Sequence, residues 1–187
     1  MPTNSFLFNY EPDWKPNHPM LRHLLPYDVQ SWVYEAHSLT QRLRCFYGDS
    51  VKVKILFHQW KTPFLSEVNH LHLRHQRYSL VREVLLHADD KPLILARTIL
   101  PKKTINIAKR NLSHLGTRPL GEVIFSYPHL ERLEMDVCCV KPETWSNSLL
   151  QELNIEHAVW GRRTVYAIQQ QPLLVSELFL PDALKCL

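Results

Sequence analysis

The feature that most constrains this chain is a change of hydrophobic period at Val51. Val51, Val53, Ile55 and Phe57 alternate with Lys52, Lys54, Leu56 and His58, which predicts a half-buried strand. Strand signals recur at Tyr78 to His87, Leu93 to Leu100, Leu130 to Val137, Val159 to Ile168 and Leu173 to Leu180. The stretch Ala88-Asp89-Asp90-Lys91-Pro92 joins the second strand to the third, and Gln169-Gln170-Gln171-Pro172 joins the last two. Both read as hairpin turns. Six strands in mainly hairpin order, with helices in the first half and middle, predict a single α+β domain built on an antiparallel sheet.

The helical signals lie between these strands. Val29, Trp32, Val33, Ala36, Leu39, Leu43 and Phe46 recur at helical spacing. Ser38-Leu39-Thr40-Gln41 inside that run has the form of a capping box, so the helix is expected to break and restart at Ser38. Thr104 is placed to cap a helix with Ile105, Ala108, Leu112 and Leu115 on one face and Gly116 past its end. Pro119 suits the first turn of another short helix through Phe125, and a further one is expected around Ser148 to Leu153. Pro2, Pro12, Pro16, Pro19 and Pro26 block any long helix at the start. Residues 1–26 are therefore expected to form an extended arm packed on a domain spanning 27–187.

The 187 residues contain only four glycines, at 48, 116, 121 and 161, so no GxGxxG dinucleotide fingerprint is possible. The net charge of +4 suits anionic small molecules, but the basic residues come singly or in pairs, and no nucleic-acid partner is expected. The four cysteines lack CxxC spacing, the N-terminus lacks a signal-peptide pattern, and no apolar run reaches the length of a membrane span. A cytoplasmic protein without stable membrane insertion is expected.

Two charges stand out. Arg82 sits among Tyr78, Leu80, Val84 and Leu86 on one face of its strand, and Glu177 among Leu173, Val175 and Phe179 on its own. A guanidinium in an apolar row needs an anion, and a carboxylate in one is paired, protonated or functional. A plain Arg82–Glu177 ion pair is one bland reading; a snorkelling Arg82 is another. The restart at Ser38 and the Gly116-to-Pro119 junction expose helix-start N–H groups near Leu39 and Leu120 that could receive a carboxylate. Three other patterns are decoys. Gly116 to Val123 has the glycine spacing of a phosphate-binding P-loop, with Glu122 and Val123 in place of the lysine and hydroxyl residue. His70, His72 and His75 lack a second ligand cluster, so no metal is expected, and Cys45 lacks a definable base.

Read together, Val81-Arg82-Glu83-Val84, Gly116-Thr117-Arg118-Pro119-Leu120-Gly121, Trp160-Gly161-Arg162-Arg163 and Ser176-Glu177-Leu178-Phe179-Leu180-Pro181 resemble, in order, the signatures of the chorismate lyases. The resemblance implies helices on one face of a roughly six-stranded antiparallel sheet, with helical flaps over a buried ligand site. It implies cleavage of chorismate to 4-hydroxybenzoate and pyruvate for ubiquinone synthesis, with no metal or organic cofactor; a monomer is expected. Carried over by motif, Arg82 grips the ring carboxylate, the backbone amides of Leu39 and Leu120 bind it too, and Glu177 faces the para oxygen. Arg82 and Glu177 are the implied catalytic pair. Arg162 and Arg163 are candidates for the pyruvyl carboxylate, or else pair with Glu131, Glu134 or Asp136. Leu39 stands where the family often has Met.

Two rival readings follow. Ligand-binding domains of some bacterial transcription regulators share this fold without catalysis, although the roughly 37 residues before Ser38 are too few for the winged-helix domain such regulators carry. A sister enzyme would release another hydroxybenzoate from chorismate.

Overall fold

The computed structural model describes residues 4–73, 78–108 and 112–186. In chain order the elements are β1 (Lys15–Pro16), α1 (Pro19–Leu24), α2 (Tyr27–Val33), α3 (Leu39–Tyr47), β2 (Val51–Lys61) and α4 (Leu65–His70). Then come β3 (Ser79–Ala88), β4 (Lys91–Leu100), α5 (Lys102–Ile107), α6 (Leu120–Ile124) and β5 (Glu131–Val140). The chain ends with α7 (Asn147–Leu153), β6 (Val159–Ile168), β7 (Gln171–Phe179) and α8 (Pro181–Leu184).

The strands form one antiparallel sheet in the order β1-β5-β6-β7-β4-β3-β2. Two three-stranded meanders, β2-β3-β4 and β5-β6-β7, meet at the β4–β7 pair, where Ala96 faces Glu177 and Thr98 faces Val175. The class and the six hairpin-ordered strands are as the alternation predicts. The seventh strand, β1, is a two-residue edge strand containing a proline, too short to show a period.

The helix break falls at Ser38, whose hydroxyl accepts from Gln41 N at 3.5 Å. Thr104 does not cap α5: Pro101 takes that place, and the Thr104 hydroxyl donates to the Pro172 carbonyl at 2.6 Å, tying α5 to the β6–β7 turn. Helix α5 ends at Ile107, and residues 109–111 of the longer helix expected there lie outside the described residues. Ile105, Ala108, Leu112 and Leu115 are nonetheless buried in one cluster, as their spacing predicts. Within the proline-rich start, α1 forms a six-residue helix with Pro19 at its first position.

One sheet face carries Arg82, Val84 and Leu86 from β3, Ile94 and Ala96 from β4, and Val175 and Phe179 from β7, beneath α2, α3 and α6. The other carries Leu85, Leu95 and Leu178, beneath Leu7, Phe8, Trp145 and α7's Leu149. Helices thus cover both faces, where the resemblance implied one. The second face also holds a buried ion network that periodicity did not single out. Arg97 contacts both Glu67 oxygens through Nε and Nη2, at 2.7 and 2.9 Å, and Glu83 through Nη1 at 2.7 Å. These two carboxylates push the Arg97 pKa upward against the opposing effect of burial. Glu83 also accepts from the Ser5 hydroxyl and from the Phe6 and Leu7 amides, pinning the N-terminal segment to β3.

Candidate active site

Arg82, Leu39, Leu120 and Glu177 all line one cavity between the first sheet face and the α3 and α6 starts. About 40 Å³ of it is open to the centres of water-sized molecules. Its floor is Val84, Ala96, Thr98 and Val175, and its roof Ser38, Leu39, Pro119, Leu120, Gly121 and Ile124. Phe125 and Tyr166 form an aromatic wall, their ring centroids 6.0 Å apart and nearly perpendicular.

The roof closes because α3 and α6 touch at their starts. A Cβ on Gly121 would lie 2.7 Å from Ser38 Oγ, so any larger residue would force that hydroxyl, the cap of α3, to turn away. Leu39 and Leu120 are the first residues of α3 and α6, positions whose N–H groups have no partner within their own helix. One turn on, Arg44 of α3 pairs with Glu122 of α6. The P-loop-like stretch therefore serves as the loop into α6, with Glu122 spent on a helix–helix contact.

Arg82 is 2% exposed. Its Nη2 donates to the carbonyls of Gly116 and Arg118, at 3.0 and 3.1 Å, and its Nε is buried without a partner. Among the described residues no carboxylate lies within ion-pair distance of it. Burial alone pushes its pKa down from 12.5 to about 10, the mark of a desolvated cation lacking a counter-ion. Neither bland reading applies: Arg82 does not snorkel, and it does not pair with Glu177.

Glu177 pairs with Arg162 instead, Oε2 accepting from Nε at 2.7 Å. Arg162 is 1% exposed, and its Nη1 donates to the carbonyls of Trp32, Val33 and Glu35 at 3.4, 3.1 and 2.7 Å. It thereby satisfies the open C-terminal end of α2 while holding Glu177, and Glu177's charge helps raise its pKa. No donor among the described residues meets Glu177 Oε1. Arg163, next along β6, points to the opposite face and pairs with Asp136 through Nη2 at 2.5 Å and Nε at 3.1 Å. Arg163 thus takes the Asp136 pairing, and Arg162 pairs with Glu177 rather than with Glu131, Glu134 or Asp136.

Of the remaining motif residues, His70, His72 and Cys45 do not line this cavity. His70 lies on α4, with Nε2 3.0 Å from Asp136 and Nδ1 3.1 Å from the Ser66 carbonyl. His75 lies outside the described residues, among which no three His, Cys, Asp or Glu side chains converge as a metal site. Cys45 is exposed and free.

Phe125 and Tyr166 were not legible as site residues, because an aromatic in an apolar strand or helix row has the signature of core. Burial and the nearby Glu177 charge raise the Tyr166 pKa, so its hydroxyl stays protonated inside the cavity.

A family model described as chorismate lyase matches residues 12–185. The chain belongs to the chorismate lyase family. A relative from Methylococcus capsulatus, named as a probable chorismate pyruvate-lyase, is 39% identical over 83% of this chain and 96% of its own length. Another so named, from Thiobacillus denitrificans, is 35% identical over 85% and 86% respectively. Among solved structures, a GntR-family transcriptional regulator from Bacillus cereus aligns with a TM-score of 0.54 over 72% of this chain and 94% of its own. The C-terminal domain of a histidine utilization repressor from Pseudomonas syringae aligns with a TM-score of 0.53 over 71% and 93%. At 15% and 11% identity these show a shared fold with this lyase-family chain and nothing of its chemistry.

Proposed function

We infer that this chain is a chorismate pyruvate-lyase, a carbon–oxygen lyase releasing 4-hydroxybenzoate and pyruvate. The observation that carries the reading is Arg82, a buried guanidinium without a carboxylate partner among the described residues, lining the same cavity as Glu177. A planar carboxylate fits a guanidinium fork through parallel hydrogen bonds. The Leu39 and Leu120 amides, at two converging helix starts, complete a cage for it.

Glu177 serves the other end of the ring. Held by Arg162, it accepts a hydrogen bond from the para hydroxyl through Oε1, fixing the ring between two charged anchors. In the reaction the ring–ether bond beside that hydroxyl breaks. The ether oxygen leaves with the electron pair, the hydrogen on the hydroxyl-bearing carbon departs as a proton, and the ring becomes aromatic. The departing enolpyruvate takes up a proton to become pyruvate. Aromatisation drives the reaction, so orientation and water exclusion by this apolar cavity are the contributions required of the protein.

No helix of the described residues is long and apolar enough to cross a membrane. Action as a cytoplasmic monomer, without a nucleic-acid partner, is part of the proposal and rests on the family resemblance. The deciding experiment mixes purified, metal-free protein with chorismate and quantifies products against a protein-free control. Equal amounts of pyruvate and 4-hydroxybenzoate are expected. A different hydroxybenzoate identifies the sister enzyme, and saturable aromatic-acid binding without turnover identifies a sensor.

A further inference from the structure

Chorismate carries two carboxylates, and Arg82 answers only one. Resting on the lyase reading, we propose that Arg132 and the Tyr166 hydroxyl form the subsite for the second, the enolpyruvyl carboxylate, at the outer edge of the cavity.

Elimination narrows the choice of cation. Among the described residues Arg82 is the only cationic side chain lining the cavity. Arg163 lies on the opposite face with Asp136. Arg162 already meets Glu177 and three backbone carbonyls. Arg132 is exposed and less committed. Its Nη2 alone makes contacts, donating to the carbonyls of Glu35 and Ala36 at 3.2 and 3.4 Å and to Tyr166 Oη at 3.1 Å. Its Nε and Nη1 meet no acceptor among the described residues, so each edge of the guanidinium fork keeps an open donor beside Nη2.

The contacts also place this guanidinium at the correct end of the ligand. Arg162 Nη1 and Arg132 Nη2 donate to the same carbonyl, that of Glu35, and Arg162 holds Glu177. Arg132 is thus one shared acceptor from the group assigned to the para oxygen, and the enolpyruvyl ether is attached to the neighbouring ring carbon. Tyr166 bridges inside and outside: it is 3% exposed, lines the cavity, and its ring lies 5.5 Å from the Arg132 guanidinium carbon. A carboxylate there displaces the two long carbonyl contacts of Nη2, accepts from Nη1 and Nη2 along one edge of the fork, and accepts from the Tyr166 hydroxyl.

The test exploits a difference between substrate and product. Chorismate has the second carboxylate and 4-hydroxybenzoate lacks it. In Arg132→Ala, KM for chorismate is expected to rise about 10- to 100-fold, from the usual strength of a charge-assisted hydrogen bond. The 4-hydroxybenzoate dissociation constant should stay within about twofold, and competitive inhibition by pyruvate should weaken. Arg132→Lys should recover part of the KM change, and Tyr166→Phe should raise KM by a smaller factor, keeping the question open to test if the alanine variant fails to fold. Parallel loss of chorismate and 4-hydroxybenzoate affinity overturns the subsite, because it assigns Arg132 to the α2–α3 connection alone. Unchanged KM with normal wild-type turnover overturns the subsite and leaves the lyase reading intact. Absence of wild-type turnover overturns both.

Discussion

Replacing Arg82 by Met gives the sharpest separation between a structural and a receptor role. Burial desolvates the guanidinium with no counter-ion among the described residues, which lowers its pKa from 12.5 to about 10. That difference corresponds to about 3 kcal/mol of penalty on the charged form. Because a base with a lowered folded pKa is destabilising while charged, the penalty is fully present at neutral pH and fades only as pH rises through about 10. A bound carboxylate relieves it. Arg82→Met should therefore weaken 4-hydroxybenzoate binding by about 3 kcal/mol, on the order of 100-fold. The ligand-free protein should lose little, since the hydrogen bonds given up to the Gly116 and Arg118 carbonyls, about 1 kcal/mol each, are offset by removal of the uncompensated charge. Isothermal titration with 4-hydroxybenzoate and melting curves with and without it measure both quantities. At saturating ligand the wild type should melt several degrees higher than without it, and the variant should not respond. An unchanged dissociation constant refutes the reasoning. So does a ligand-free melting temperature lowered by more than about 10 °C, which would make Arg82 a latch for the 116–118 loop.

Glu177→Gln keeps the shape but removes the charge facing Arg162; kcat should fall at least about tenfold with a smaller change in KM, by steady-state pyruvate release. In Gly121→Ala the new methyl meets Ser38 Oγ and parts the helix starts, so 4-hydroxybenzoate affinity should drop about tenfold by titration while far-ultraviolet circular dichroism is unchanged. Glu67→Ala leaves the buried Arg97 one carboxylate short, and urea denaturation should report a loss of about 3–5 kcal/mol with the active-site contacts untouched.

How legible these features were depended on whether a residue broke its local pattern. Arg82 and Glu177 each interrupt an apolar row, and that contrast marked them before any fold was known. The hairpin order followed from alternation and turn chemistry, because a period of two leaves few other ways to bury one face. Tyr166 and Phe125 conform to their rows and so were indistinguishable from core. Arg162 drew notice for its motif, but its partners are three carbonyls and a carboxylate gathered from β7 and the end of α2, a convergence that only tertiary structure creates. Arg97 is different: it breaks the apolar run of Leu93 to Leu100 just as Arg82 breaks its own. The same signal was present there, and its meaning differs.

That difference can be argued from the pleat. Arg82 and Glu83 are consecutive on β3 and so face opposite sides of the sheet, across from Thr98 and Arg97 on β4. On one side, Glu83 and Glu67 neutralise Arg97, and Glu83 also collects the N-terminal amides. Every charge there has a protein partner, so that network holds the fold and has nothing left to offer a ligand. On the other side Arg82 meets two carbonyls and, among the described residues, no carboxylate, which leaves its charge for an anionic ligand in the cavity it lines. A buried arginine is thus not informative by its burial. The informative quantity is whether the protein itself supplies a counter-ion, and one hairpin presents an arginine that has one and an arginine that has none among the described residues.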